Sequence, residues 1–202
     1  MSDSFTLSSV PAAITWKNQP SNCTNDAVGQ INLTTGADTD WFINPAGEQV
    51  KNNAPIAWFL PSDNAFCLQA RVTVAFASTF DAGTLFVFAH DTLWAKLCFE
   101  YSPQSQPMIV SVVTRGVSDD CNSVVVEGNS VYLRVYRYAD AFAFHYSLDG
   151  HYWHFVRHFS LGDLVQPWIG FSAQSPTGKG CQVNFSEIRY TPGMLSDLRN
   201  GE

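Results

Sequence analysis

A chain of 202 residues that is 46% hydrophobic and only 14% charged is long enough for one all-β domain with a large core, and too apolar to remain disordered. Eleven basic against eighteen acidic residues give a net charge of −7 without a Lys/Arg cluster, so nucleic acid and anionic membrane are excluded as expected partners. No apolar run approaches the roughly 20 residues of a bilayer span.

The start, MSDSFTLSSVPAAITW, lacks a basic segment followed by an apolar run, so the expected compartment is the cytoplasm. Cys23, Cys67, Cys98, Cys121 and Cys181 are odd in number, widely spaced and without a CxxC pair. Reduced thiols are therefore expected, rather than a disulfide framework or a zinc site.

In chain order, residues 1 to 20 carry Trp16 between Pro11 and Pro20, the pattern of an edge strand, because proline cannot donate to a ladder. A strand over 27–33 precedes a turn-rich loop over 34–40, which delivers Asp40, Trp41 and Phe42 to the turn Asn44-Pro45-Ala46-Gly47. Strands over 56–60 and 66–76 flank the Pro61-Ser62-Asp63-Asn64 turn. Phe80-Asp81-Ala82-Gly83 turns into the almost wholly apolar run over 84–89, the mark of a strand covered on both faces.

From Trp94 to Tyr101 the side chains alternate. Trp94, Lys96, Cys98 and Glu100 share one face, and Ala95, Leu97, Phe99 and Tyr101 the other. Strands over 109–115 and 124–126 flank an expected loop, Gly116 to Asn122. Four β-rich runs then follow between Val131 and Ala173, with Asp149-Gly150 as a hairpin turn. A polar loop over 174–180 and a closing strand over 182–190 complete the chain. About a dozen short strands without a helical period predict a two-sheet sandwich.

Several segments in one order, FDAGTLFVFAHDTLWAKLCFE, SVVTRGVSDDCN, LRVYR, HYSLDGHYW, GFSAQSP and SDLRNGE, resemble the domain-of-unknown-function family that includes the regulation-of-enolase protein. The resemblance implies a single concanavalin A-like jelly roll over residues 1–202, two antiparallel sheets with one concave, and no cofactor. Carried over position by position, its pattern touches Asp81, Gly83, Asp91, Trp94, Lys96, Glu100, Thr114, Ser118, Asp119, Arg134, Arg137, Asp149, Trp153, Arg157, Gln174, Ser175 and Pro176. Where relatives follow the Ser-Asp pair with Trp, this chain has Asp120.

The sharpest chemical candidate is the row Trp94, Lys96 and Glu100 with Asp91 at its entrance, since a sugar site needs an aromatic plane beside groups that bind hydroxyls. Arg134, Arg137 and Arg157 each need an acceptor in such apolar surroundings, with Glu100 and Asp119 as the expected partners. Arg134 and Arg137, three apart, should face opposite sides of a strand. With Thr114, Asp119 and Gln174 these residues make up the expected ligand cleft. The segment Ser118-Asp119-Asp120 with Asn122 matches no specific cation-binding spacing, and the irregular His145, His151, His154 and His158 match no zinc motif.

The expected function is noncatalytic binding of a carbohydrate or small metabolite. The first alternative is a glycoside hydrolase using Glu100 with a loop aspartate, Asp91 or Asp119, although Lys96 on the same face should keep Glu100 ionised. The second is an interaction module for a metabolic enzyme.

Overall fold

The computed structural model describes residues 4–26, 29–47, 49–162 and 166–202, and among them there is no helix. Among the described residues seventeen strands, numbered in chain order, form two large antiparallel sheets and one hairpin. The first sheet runs β1 (Ser4–Phe5), β2 (Ile14–Lys17), β7 (Ile56–Phe59), β16 (Trp168–Gln174), β9 (Ala82–His90), β10 (Leu93–Tyr101), β11 (Pro107–Arg115) and β12 (Val117–Val125). The second runs β15 (His154–Ser160), β14 (Ala141–Ser147), β13 (Ser130–Tyr138), β8 (Ala65–Ala75), β17 (Gln182–Pro192), β4 (Ile31–Thr34) and β3 (Asn22–Asn25). The hairpin pairs β5 (Trp41–Ile43) with β6 (Val50–Asn52). This is a jelly-roll sandwich of the concanavalin-like kind.

Period-two alternation places the main core between the sheets. Leu85, Val87, Ala95, Leu97, Phe99, Ile169 and Phe171 from the first sheet meet Leu68, Val72, Val74, Leu133, Val135, Phe144 and Phe185 from the second. Each buried Leu, Val, Ile or Phe among them contributes about 1.5–3 kcal/mol. The sheets approach closely at Gly83, where a Cβ would stand 2.5 Å from Val72 Cγ1 and 2.6 Å from Val183 Cγ1. Glycine is thus required at that crossing.

A second apolar cluster lies on the outer face of the first sheet. Phe86 and Phe88 of β9, Trp94 and Cys98 of β10, and Val110 and Val112 of β11 pack under Trp41 and Ile43 of the β5–β6 hairpin. This explains the unbroken apolar sequence of β9, which is covered on both faces. Trp41 is fully buried, donates Nε1–H to the Ala54 carbonyl at 2.9 Å, and sits edge-on to Trp94 with centroids 6.0 Å apart.

Three expectations need correction and one needs refining. Residues 117–125 are strand β12 rather than a loop: their outward polar side chains hid a nine-residue edge paired along β11. The fourth run of the 131–173 stretch, β16, leaves its neighbours and inserts between β7 and β9 of the other sheet. Asp149-Gly150 does turn the antiparallel β14–β15 hairpin, with Gly150 at φ 78°, but within a loop longer than a two-residue turn, in which Asp149 Oδ1 accepts the His151 and Tyr152 amides at 2.8 and 2.9 Å. The N-terminal edge is β1, and β2 with Trp16 lies inside it, paired to both β1 and β7. Of the strand expected over 27–33, Ala27 and Val28 lie outside the described residues, and β4 begins at Ile31. No helix among the described residues is long and apolar enough to cross a membrane.

Candidate functional site

The covering hairpin stops short of one end of the first sheet, and a pocket opens there. Trp41 anchors β5, so the preceding Asp40 is carried over the outward face of β10; its carboxylate accepts the Trp41 amide at 2.7 Å, and Asn53 Oδ1 accepts the Asp40 amide at 3.0 Å. Lys96 points up from β10, with Nζ 2.9 Å from Asp40 Oδ1 and 2.7 Å from Gln174 Oε1. Gln174 Nε2 then donates to Glu100 Oε2 and to the Phe80 carbonyl, both at 3.3 Å. One hydrogen-bonded chain thus links the hairpin, β10 and the end of β16.

Register brings in one further carboxylate. Lys96 pairs with Val112, and Val112 with Asp120, so all three side chains lie on the same outward face. Together with Phe42, Phe80 and Pro176 these groups enclose about 170 Å3, lined by Asp40, Phe42, Phe80, Lys96, Glu100, Val112, Asp120, Gln174 and Pro176. An engineered cavity of about 150 Å3 holds benzene. The pocket therefore admits one six-membered ring.

The rim is backbone-strained. Phe80 sits at φ 69°, a region costly for a bulky residue, and the residue remains 36% exposed. Asp81 clamps that turn, because Oδ2 accepts the Ala77 and Ser78 amides at 3.0 and 2.8 Å while Oδ1 accepts the Ser175 hydroxyl at 2.6 Å. A bridge between Thr39 and Ser175 fastens the loop over 35–40 to the same corner.

Electrostatics set the protonation states. Burial pushes the Glu100 carboxyl up to about 8, with Asp120 and Asp40 adding to the rise and Lys96 opposing it. The expectation that Lys96 keeps Glu100 ionised is thus corrected, since the ammonium is committed to Asp40 and Gln174 and desolvation of Glu100 prevails. Burial would lower the Lys96 pKa, but Asp40, Cys98 and Glu100 together turn the net shift upward, so it stays charged. Asp120 is raised, first by burial and with Lys96 acting against it.

Of the ten residues expected in one cleft, Lys96, Glu100 and Gln174 line this pocket, and the other seven lie elsewhere. Asp91 pairs with Lys17 at 2.9 Å. Trp94 has no exposed surface and lies in the cluster beneath Trp41. Thr114 is buried, with Oγ1 2.9 Å from Ser118 Oγ, which accepts the Ile43 amide and so pins the hairpin. Asp119 pairs with Arg157 at 2.9 Å, joining β12 to β15 along one side of the sandwich. Arg134 stacks 3.6 Å over Trp153, and Arg137, buried beside Phe142, donates Nε–H to the Ala139 carbonyl at 2.9 Å. Alternation assigned β10 well, but it carries no information on which segment covers a face.

Asp40, Phe42, Phe80, Val112, Asp120 and Pro176 line the pocket without having been expected there. Their signals were weak: Asp40 and Phe42 flank a tryptophan after a turn-rich loop, and Asp120 joins Lys96 only once 117–125 is a strand. His145 Nε2 lies 2.8 Å from the Leu198 carbonyl, and His154 stacks on Tyr146. Among the described residues no three His, Cys, Asp or Glu side chains are arranged to hold a metal ion.

Solved structures agree on the fold. A functionally unknown protein from Saccharomyces cerevisiae is 27% identical, with a TM-score of 0.82 over 90% of this chain and 97% of its own. The GH43 BlXynB protein from Bacillus licheniformis is 16% identical with a TM-score of 0.64, covering 82% of this chain but 33% of that one. The alginate lyase from Klebsiella pneumoniae is 10% identical with a TM-score of 0.52, over 85% of this chain and 84% of that one. No curated protein sequence matches. Residues 16–193 match the family described as Protein of unknown function (DUF1349), and the chain belongs to that family.

Proposed function

We propose that the pocket above β10 binds one sugar ring, or a small metabolite hydroxylated like one, without turning it over. The observation that carries this reading is the exposed Phe80 ring, held at φ 69° on the rim of a ring-sized pocket floored by Glu100, Lys96 and Gln174. An aromatic side chain kept in a costly backbone conformation is explained by what it meets, and apolar C–H faces of a sugar suit Phe80 and Phe42 while its hydroxyls suit the polar floor. The likeness to GH43 proteins and to an alginate lyase supports the fold alone. The site chemistry here rests on this chain's own residues.

Phe80→Gly tests the reading, because it separates binding from stability. Glycine accepts a positive φ, so relief of the strain offsets the lost burial of the ring and the variant should unfold in urea within about 1 kcal/mol of wild type, yet it should bind monosaccharides at least tenfold more weakly in ligand-observed NMR. Unchanged binding would overturn the proposal.

A second reading, glycoside hydrolysis, draws on one observation: a carboxyl held at about 8 stays protonated at neutral pH, as a general acid must. Asp91 and Asp119 are committed to Lys17 and Arg157, so Asp120 would serve as the second carboxylate. Turnover of aryl glycosides that disappears in Glu100→Gln while binding persists would favour this reading.

A further inference from the structure

The groups facing the pocket are unequal in charge. Among the described residues Lys96 is its only lining cation, and two of its three N–H donors already point at Asp40 and Gln174. Against it stand three carboxyls. Asp40 is held by Lys96, and Glu100, which takes the Gln174 amide on Oε2, lines the pocket. Asp120 is exposed and belongs to none of the ion pairs of the described residues, since the neighbouring Asp119 is the one that turns to Arg157.

What the pocket offers a ligand is therefore mostly hydrogen-bond acceptors and one unneutralised negative charge. A uronate or sugar phosphate would bring its anion against Asp120 with no uncommitted cation to receive it, and like charges at such range repel. The net charge of −7 adds to that bias at longer range.

Resting on the sugar-binding reading above, we propose that the preferred ligand is an amino sugar, its ammonium set against Asp120 and Glu100, that the neutral parent sugar binds more weakly, and that acidic sugars are rejected. Asp120 is then a specificity residue. It selects by charge, while Phe80 and Phe42 hold the ring.

The test is calorimetry and saturation-transfer NMR on the full chain with glucosamine, glucose and glucuronic acid, their galacto counterparts, and ethanolamine as a plain amine. The pH is set at 6.5, below the usual amine range. The amino sugar should bind roughly fivefold more tightly than the neutral one, the size of a partly exposed ion pair, and the acidic sugar should not register. Asp120→Asn should bring the amino-to-neutral ratio, read within that variant, to about one.

Acidic sugars binding as well as neutral ones, or an amine preference that survives Asp120→Asn, would overturn the charge assignment while sugar binding stands. Ethanolamine binding with silence from every sugar would overturn the sugar reading and the amino-sugar assignment with it. Silence from all probes overturns both.

Discussion

Each large sheet buries one cation on its outer face beneath a chain segment, and the two are satisfied differently. Lys96, under the β5–β6 corner, is held by the Asp40 carboxylate, with a pocket beside it. Arg134, on the second sheet, meets no carboxylate among the described residues: its guanidinium lies over Trp153, Nη1 donates to the Gly201 carbonyl at 2.6 Å and Nη2 to Gln69 Oε1 at 3.0 Å. The C-terminal segment covers the arginine, leaving its Nε–H without a hydrogen-bond partner among the described residues, with Arg199 over Phe155 at 4.3 Å and no room for a Cβ at Gly201, which would stand 2.8 Å from Trp153. The planar guanidinium can be satisfied by stacking and neutral acceptors, whereas the ammonium point charge requires a counter-ion. A buried cation thus marks a site only where its covering segment leaves a pocket beside it.

The largest effect should come from Lys96→Met, which leaves Asp40 under the hairpin without its cation. Urea unfolding should report a loss of about 3 kcal/mol, largely recovered in the Lys96→Met, Asp40→Asn double variant. A loss below about 1 kcal/mol would mean that water reaches this pair freely, and the contrast with Arg134 would collapse. Next, Arg134→Ala should cost about 2 kcal/mol through the lost stack over Trp153. Hydrogen exchange should then quicken over residues 193–202 and stay unchanged at the β5–β6 hairpin, since the two faces are independent.

The smallest effect sharpens the comparison through pH. Glu100 is raised from 4.5 to about 8 in the folded protein, so the folded state holds a proton that the unfolded state releases. Its contribution is fully present below about pH 4.5 and is lost as pH rises through about 8. Glu100→Gln should flatten that slope and be more stable than wild type by about 1–2 kcal/mol at pH 9, a figure kept well under the full linkage value because the carboxyl borders the open pocket. Arg134→Ala should keep the wild-type slope. If Glu100→Gln leaves the pH profile unchanged, the carboxyl is ionised in the native protein.

What could be read from the sequence follows from what alternation encodes. A nine-residue strand such as β10 announces its two faces, so Lys96, Cys98 and Glu100 could be placed together before any fold was known. The three-residue β5 has no period to read, and so the destination of Trp94 under Trp41 was hidden. Residues 117–125 misled for the opposite reason, since an exposed edge strand composed of Ser, Asp and Asn has the composition of a loop. The three arginines were correctly seen to need acceptors, and one expected partner, Asp119, does receive Arg157. That pair lies along the side of the sandwich, and no sequence spacing distinguishes a side from a pocket.

The insertion of β16 between β7 and β9 bears on when the pocket comes into being. β7 and β9 cannot be sheet neighbours, and the space between them waits for a strand that begins at Trp168. The bonds of Lys96 to Asp40 and Gln174 span 56 and 78 residues, and the Ser175 amide reaches Thr39 across 136. Contacts so distant in sequence form late and slowly, because the intervening chain must be closed into loops before they contribute. During synthesis, when the chain emerges from its N-terminus, Asp40 and Lys96 are made long before the glutamine that joins them. Occupancy of the pocket would therefore report a chain whose folding is finished, and a ligand would stabilise that state alone.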